Sequence, residues 1–90
     1  MLILQLDKRA DKFSNRLPPK QEGQIGRKLA ELLVAPFPHD SKKLRNSGWY
    51  RVDVGEYRII YRVEESLLKI YVIGKRNDDD VYKKLERLGG

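Results

Sequence analysis

The sequence contains no cysteine and a single histidine, His39. The first absence excludes a disulfide framework and any thiolate zinc site, and it suits a reducing compartment. The second leaves little for histidine-based catalysis, because His39 stands alone in a proline-flanked loop and reads as a surface residue. No apolar run approaches the ~20 residues that a membrane-spanning helix needs. The opening MLILQLDKRADKF turns charged too early for a secretory signal, so the cytoplasm is the expected location and no membrane partner is expected. Repeats, low-complexity tracts and linkers are missing too, and 90 residues fit one domain spanning 1–90.

Charge, by contrast, is abundant. Lysine and arginine number 19 against 13 acidic residues, a formal net charge of +6. An excess of that size on so small a body suits an anionic partner, nucleic acid or an acidic protein. The alternative is a solvated basic surface with no partner. The acidic run Asp78-Asp79-Asp80 does not make a metal site: consecutive residues at a helix start do not converge on one ion, and acidic groups there favour the helix dipole. No metal and no cofactor is expected.

Periodicity gives the elements. Leu2 to Leu6 reads as a short strand. Asp7 is a plausible N-cap for a helix that places Ala10, Phe13 and Leu17 on one stripe. Pro18-Pro19 stops it, and Pro19 suits the first turn of a second helix running to about Ala35 with Ile25, Leu29, Leu32 and Leu33 as its apolar stripe. APFPHDSKK then breaks regular structure. Three strands follow, linked by Gly55-Glu56 and by Glu64 to Ser66. A last helix, capped by Asn77 or one of the aspartates, presents Val81, Leu85 and Leu88. The order is β-α-α-β-β-β-α. It predicts an α+β domain: an N-terminal strand, a two-helix hairpin, a three-stranded antiparallel sheet and a C-terminal helix, with all helices on one face of the sheet.

The period of two then sorts the sheet residues. Tyr50, Val52, Val54, Tyr57, Ile59, Tyr61, Val63, Leu68, Ile70 and Val72 are expected in the core. The other face would hold Arg51, Asp53, Arg58, Ile60, Arg62 and Lys69, with Trp49 and Tyr71 among them. Arg45, just before the first sheet strand, and Lys75, at the end of the last, add to that charge. Guanidinium groups hold phosphates and rings stack on unpaired bases, so this face suits RNA or another anion. Arginine and tyrosine are also ordinary on a solvated sheet face.

The stretches KKLRNSGWYRVDVGEYRIIYRV and YVIGKRNDDDVYKKL resemble the RelE branch of the RelE/ParE toxin superfamily. The likeness covers the whole chain. The YRIIY block is shared across the superfamily, whereas GKR followed six residues later by tyrosine points to RelE. The resemblance implies a RelE-like fold, an antitoxin partner, and metal-independent cleavage of mRNA in the ribosomal A site by attack of a 2′-hydroxyl on the adjacent phosphate. It implies that Arg58 holds the scissile phosphate, that Arg76 stabilises the charge developing there, and that Tyr82 stacks on or orients the nucleotide. Arg51 falls where the family usually has lysine. Asp53 falls where a second lysine often serves as general base; it is either a carboxylate base in its place or a neutral change. Two further readings share the fold: a ParE-like inhibitor of DNA gyrase, and a relic that only binds its antitoxin.

Overall fold

Local signals set the element boundaries in the computed structural model, which describes residues 1–45, 47–77 and 80–87. The Asp7 carboxylate accepts the Arg9 backbone N–H at 2.8 Å and opens α1 (Lys8–Asn15), as an N-cap should. Helix α2 (Pro19–Val34) begins with proline in its first turn, where a missing N–H costs nothing. Strand β1 (Ile3–Leu6) precedes the helices. After them come β2 (Lys42–Lys43), β3 (Tyr50–Val54), β4 (Tyr57–Glu64), β5 (Leu67–Lys75) and the closing helix α3 (Asp80–Arg87). The α+β class is that expected from the sequence, and so is the order of elements apart from the added β2.

Among the described residues the sheet has five strands in the order β1-β5-β4-β3-β2. The three expected strands form its centre. Strand β1 adds to one edge, parallel to β5, and the two-residue β2 adds to the other, antiparallel to β3, inside a segment expected to be irregular. Gly55 has φ +57, a left-handed conformation that glycine adopts freely, and it closes the β3–β4 hairpin with Glu56. That two-residue link fixes the register, pairing Val54 with Tyr57 and Asp53 with Arg58.

Among the described residues two apolar clusters hold the fold, one on each side of the sheet. Ala10, Ile25, Leu29 and Leu32 of the first two helices pack on Val52, Ile59, Tyr61, Leu68, Ile70 and Ile73. On the opposite face Val81 and Leu85 of α3 pack on Trp49, Ile60 and Val72. Full burial of one such aliphatic side chain contributes roughly 1.5–3 kcal/mol, so the second cluster is what seats α3. This corrects the expectation that all helices share one face.

A bulge causes a second departure. The β4–β5 register shifts between Ile60, opposite Val72, and Tyr61, opposite Ile70, so Tyr71 is the extra residue. Beyond it the parity of β5 reverses. Val72, expected beside Leu68 and Ile70, lies in the second cluster, and Ile73 takes the place in the first. The proposed cap and apolar residues Asp78, Asp79 and Leu88 lie outside the described residues. Among those described, no helix is long and apolar enough to cross a membrane.

Candidate functional site

The site is assembled at the hairpin end of β3 and β4, on the face that carries α3. Asp53 and Arg58 are cross-strand partners, and opposite charges at such positions meet side to side. Arg58 Nε donates to Asp53 Oδ1 at 2.7 Å and Nη2 donates to Oδ2 at 3.2 Å, a two-point pairing. The remaining nitrogen, Nη1, donates to the Tyr82 hydroxyl at 3.0 Å. The Arg58 side chain keeps only 13% of its exposure, against 38% for Asp53.

Arg76 enters from β5. Gly74 pairs with Arg58 and Lys75 with Tyr57, so the next residue emerges beside the start of β4. The Arg76 backbone N–H donates to the Glu56 carbonyl at 3.1 Å, tying the segment to the hairpin link. Its Nη1 lies 3.9 Å from Asp53 Oδ2, an ion pair too long for a hydrogen bond. Its side chain remains 44% exposed. Arg58 and Arg76 thus both reach the Asp53 carboxylate, and Tyr82 joins the group through Arg58.

The electrostatics follow from those contacts. The hydrogen bonds from Arg58 hold the Asp53 carboxyl below its ordinary value; partial burial opposes this, and the charges of Arg58, Arg51 and Arg76 reinforce it. Arg58 is raised chiefly by the same hydrogen bonding. Asp53 is therefore ionised and engaged at neutral pH, and a carboxylate with a lowered pKa is a weak proton acceptor. A shallow cleft of about 190 Å³ opens beside the pair, lined by Asp40, Lys42, Arg51, Val52, Asp53 and Arg58. Asp40 and Lys42 were not read as site residues from the sequence. Lys42 lies on β2, opposite Arg51, and Asp40 pairs with Lys28 of α2 at 3.2 Å.

The other basic residues separate into groups. Arg62 and Lys69, paired across β4 and β5, both bind Glu64, at 3.1 and 2.7 Å. Four residues along β4 from Arg58, at ~3.3 Å each, they form a cluster of their own. Arg45 and Lys75 are exposed, and Arg51 and Tyr71 are half-buried. Trp49 corrects an expectation: it is 6% exposed and packed in the second apolar cluster rather than open for stacking. Tyr71 meets its ring edge-on at 4.0 Å, and the Arg62 guanidinium lies 4.7 Å over it. A side chain at Gly48 would stand 3.0 Å from Arg62 Nη2, so glycine leaves room for that cover. A larger cleft, about 250 Å³, lies between α1 and α3 and is lined in part by Arg9, Lys12, Arg16, Lys84 and Arg87, but by none of Asp53, Arg58, Arg76 and Tyr82.

Fold and cleft together describe a small basic α+β domain with an arginine–tyrosine cluster on one sheet face. The sequence profile of the family described as "ParE toxin of type II toxin-antitoxin system, parDE" matches residues 4–80. The chain therefore belongs to the RelE/ParE superfamily of type II toxins, and its structural likeness is to the RelE branch. A free mutant form of the Escherichia coli toxin RelE superposes with a TM-score of 0.78 at 26% identity over 97% of each chain. A chain of the archaeal RelE–RelB complex from Pyrococcus horikoshii gives 0.77 at 26% identity, covering 86% of this chain and 97% of that one. A chain of the intact E. coli RelBE toxin–antitoxin complex gives 0.74 at 27% identity, covering 86% and 99%. No curated protein matches the chain significantly by sequence.

Proposed function

We propose that the protein is a cytoplasmic, ribosome-dependent endoribonuclease that cleaves mRNA in the ribosomal A site without a metal and is neutralised by a cognate antitoxin. The observation that carries this reading is the convergence of Arg58, Arg76 and Tyr82 at one hairpin end. In the reaction a 2′-hydroxyl loses its proton and its oxygen bonds to the adjacent phosphorus. The bond to the 5′-oxygen breaks, and that oxygen takes up a proton. Arg58 holds the phosphate. Arg76, the more exposed of the two, stabilises the charge that grows on the phosphoryl and leaving oxygens. Tyr82 orients the nucleotide beside them. Preorganised cations bind the crowded phosphorane more tightly than the ground-state diester, which is the requirement for rate acceleration.

Arginines and a tyrosine supply no group that titrates near neutrality, so the substrate must arrive already held in a reactive geometry. The ribosome would provide that, and the basic residues Arg45, Arg51 and Lys75 would help to seat the domain on RNA. The antitoxin reading is supported by the RelE structures solved with RelB. A net charge of +6 suits an acidic segment of such a partner.

The test is cleavage of a defined mRNA with and without programmed ribosomes. Cuts within the A-site codon that require the ribosome support the proposal, whereas equal cleavage of naked RNA contradicts the ribosome requirement. The family profile is that of ParE toxins, which keeps a gyrase inhibitor as the second reading. Intact mRNA together with DNA damage in expressing cells would favour it.

A further inference from the structure

The pairing at the centre of the cleft has a consequence for ligand entry. A carboxylate and a phosphate offer the same thing to a guanidinium fork: two oxygens, a negative charge and a matching spacing. Asp53 already takes the Nε–Nη2 edge of Arg58, at 2.7 and 3.2 Å, while Tyr82 takes Nη1 at 3.0 Å. Three of the five N–H groups that an arginine possesses are thereby engaged. The edge best shaped for two-point capture of a phosphate is filled from within the chain.

We propose that Asp53 is a built-in latch: its carboxylate occupies the phosphate-binding edge of Arg58 in the free protein and must be displaced when an RNA phosphate binds. The inference rests on the reading of this cleft as a phosphate site. It assigns Asp53 a regulatory and positioning role, acting through Arg58. The geometry favours displacement, because Asp53 is the more exposed partner and has somewhere to go. With 38% of its side chain exposed, the carboxylate can turn outward into solvent as Arg58 releases it, which leaves Arg76 to the phosphate. The latch lowers the affinity of the free protein for stray phosphates. A substrate held in place by a larger assembly meets the same cost but offsets it through its high effective concentration at the site.

A second carboxylate provides an internal control. Asp40 lines the same cleft but is paired with Lys28, not with Arg58. If Asp53 acted merely by adding negative charge to the cleft, Asp40 would act alike.

The experiment measures equilibrium binding of inorganic phosphate and of a short oligonucleotide with 2′-deoxyribose at the scissile position, which cannot be cut. Asp53→Asn is expected to bind both about tenfold more tightly than the wild type, the effect of releasing one charge-assisted pair. Asp40→Asn is expected to gain much less, and the gain from Asp53→Asn should vanish in an Arg58→Ala background. Asp53→Ser serves as the second variant, with thermal melting confirming that each protein is folded. Equal or weaker binding by both Asp53 variants overturns the latch. So does an equal gain from Asp40→Asn, or a gain that survives without Arg58, because either shows a general field effect. Ribosomal cleavage by the wild type is scored separately. Cleavage without the binding gain removes the latch alone; the gain without cleavage by any variant removes the nuclease reading and leaves the latch standing.

Discussion

Asp53 and Arg58 face each other across the β3–β4 hairpin, and their side chains meet at 2.7 and 3.2 Å through both carboxylate oxygens. Arg58 is the more enclosed member, and the Tyr82 that it binds packs against the second apolar cluster. The pair therefore affects stability as well as binding.

Asp53→Asn should destabilise the domain at neutral pH by about 1–2 kcal/mol, because it weakens hydrogen bonds to a charged group and leaves an enclosed guanidinium less well paired. In a domain of this size that lowers the melting temperature by roughly 4–8 °C per kcal/mol. The sign of the pH dependence follows from the lowered folded pKa of Asp53, whose ordinary value is 3.8. Its contribution is present above that value and is lost as pH falls through the depressed folded pKa. The gap between wild type and variant should thus be constant from neutrality to about pH 4 and close below it. Glu64, also lowered by its hydrogen bond to Lys69, is common to both proteins and cancels in the difference. Melting curves across pH provide the check, and a gap that persists unchanged in strong acid would contradict the assignment.

Trp49 should behave as a core residue. Trp49→Ala is expected to cost about 3–5 kcal/mol, a large share of the ~5–15 kcal/mol that a native domain possesses. Trp49→Phe should cost less, since a ring would still fill the space between Ile60, Val72 and Tyr71. Urea denaturation decides the matter. A loss below about 1 kcal/mol for Trp49→Ala would return the residue to the surface role that its strand parity suggested.

That tryptophan shows what the sequence did and did not disclose. The Gly55-Glu56 link, the three central strands, the Asp7 cap and the proline start of α2 were legible because each depends on a local rule. The Asp53–Arg58 pairing was not read, although a two-residue hairpin link places those residues opposite each other. The second core was not read, although it left a signal. Ile59-Ile60 and Val72-Ile73 are adjacent apolar pairs, and neighbours on a strand point to opposite faces, so both faces had to be covered. The bulge at Tyr71 leaves no such mark, and it moved Val72 to the other side. Nor does a period of two state that β1 lies parallel to β5, or that β2 brings Lys42 to the cleft, because strand pairing is long-range.

Tyr82→Phe isolates one hydrogen bond. The ring remains to pack with the second cluster, while Arg58 Nη1 loses its acceptor. Melting temperature should change little. Cleavage on programmed ribosomes should fall about tenfold, the size of one hydrogen bond to a charged group. Unchanged cleavage would show that Tyr82 acts only through its ring.

Arg76 provides the most direct test of the central claim. The fold uses its backbone N–H, whereas among the described residues the one ion pair of its guanidinium is the long one with Asp53, and its side chain is 44% exposed. Arg76→Ala should therefore melt like the wild type. If the guanidinium stabilises the transition state, its loss should raise the barrier by about 2.7–4 kcal/mol, a hundred- to a thousandfold in rate. Arg76→Lys keeps the charge without the fork and should recover part of that rate. The measurement is single-turnover cleavage of mRNA on programmed ribosomes by the three proteins. A folded Arg76→Ala protein that has lost cleavage, partly restored by lysine, is the result predicted. Near-wild-type cleavage by folded Arg76→Ala would contradict the account.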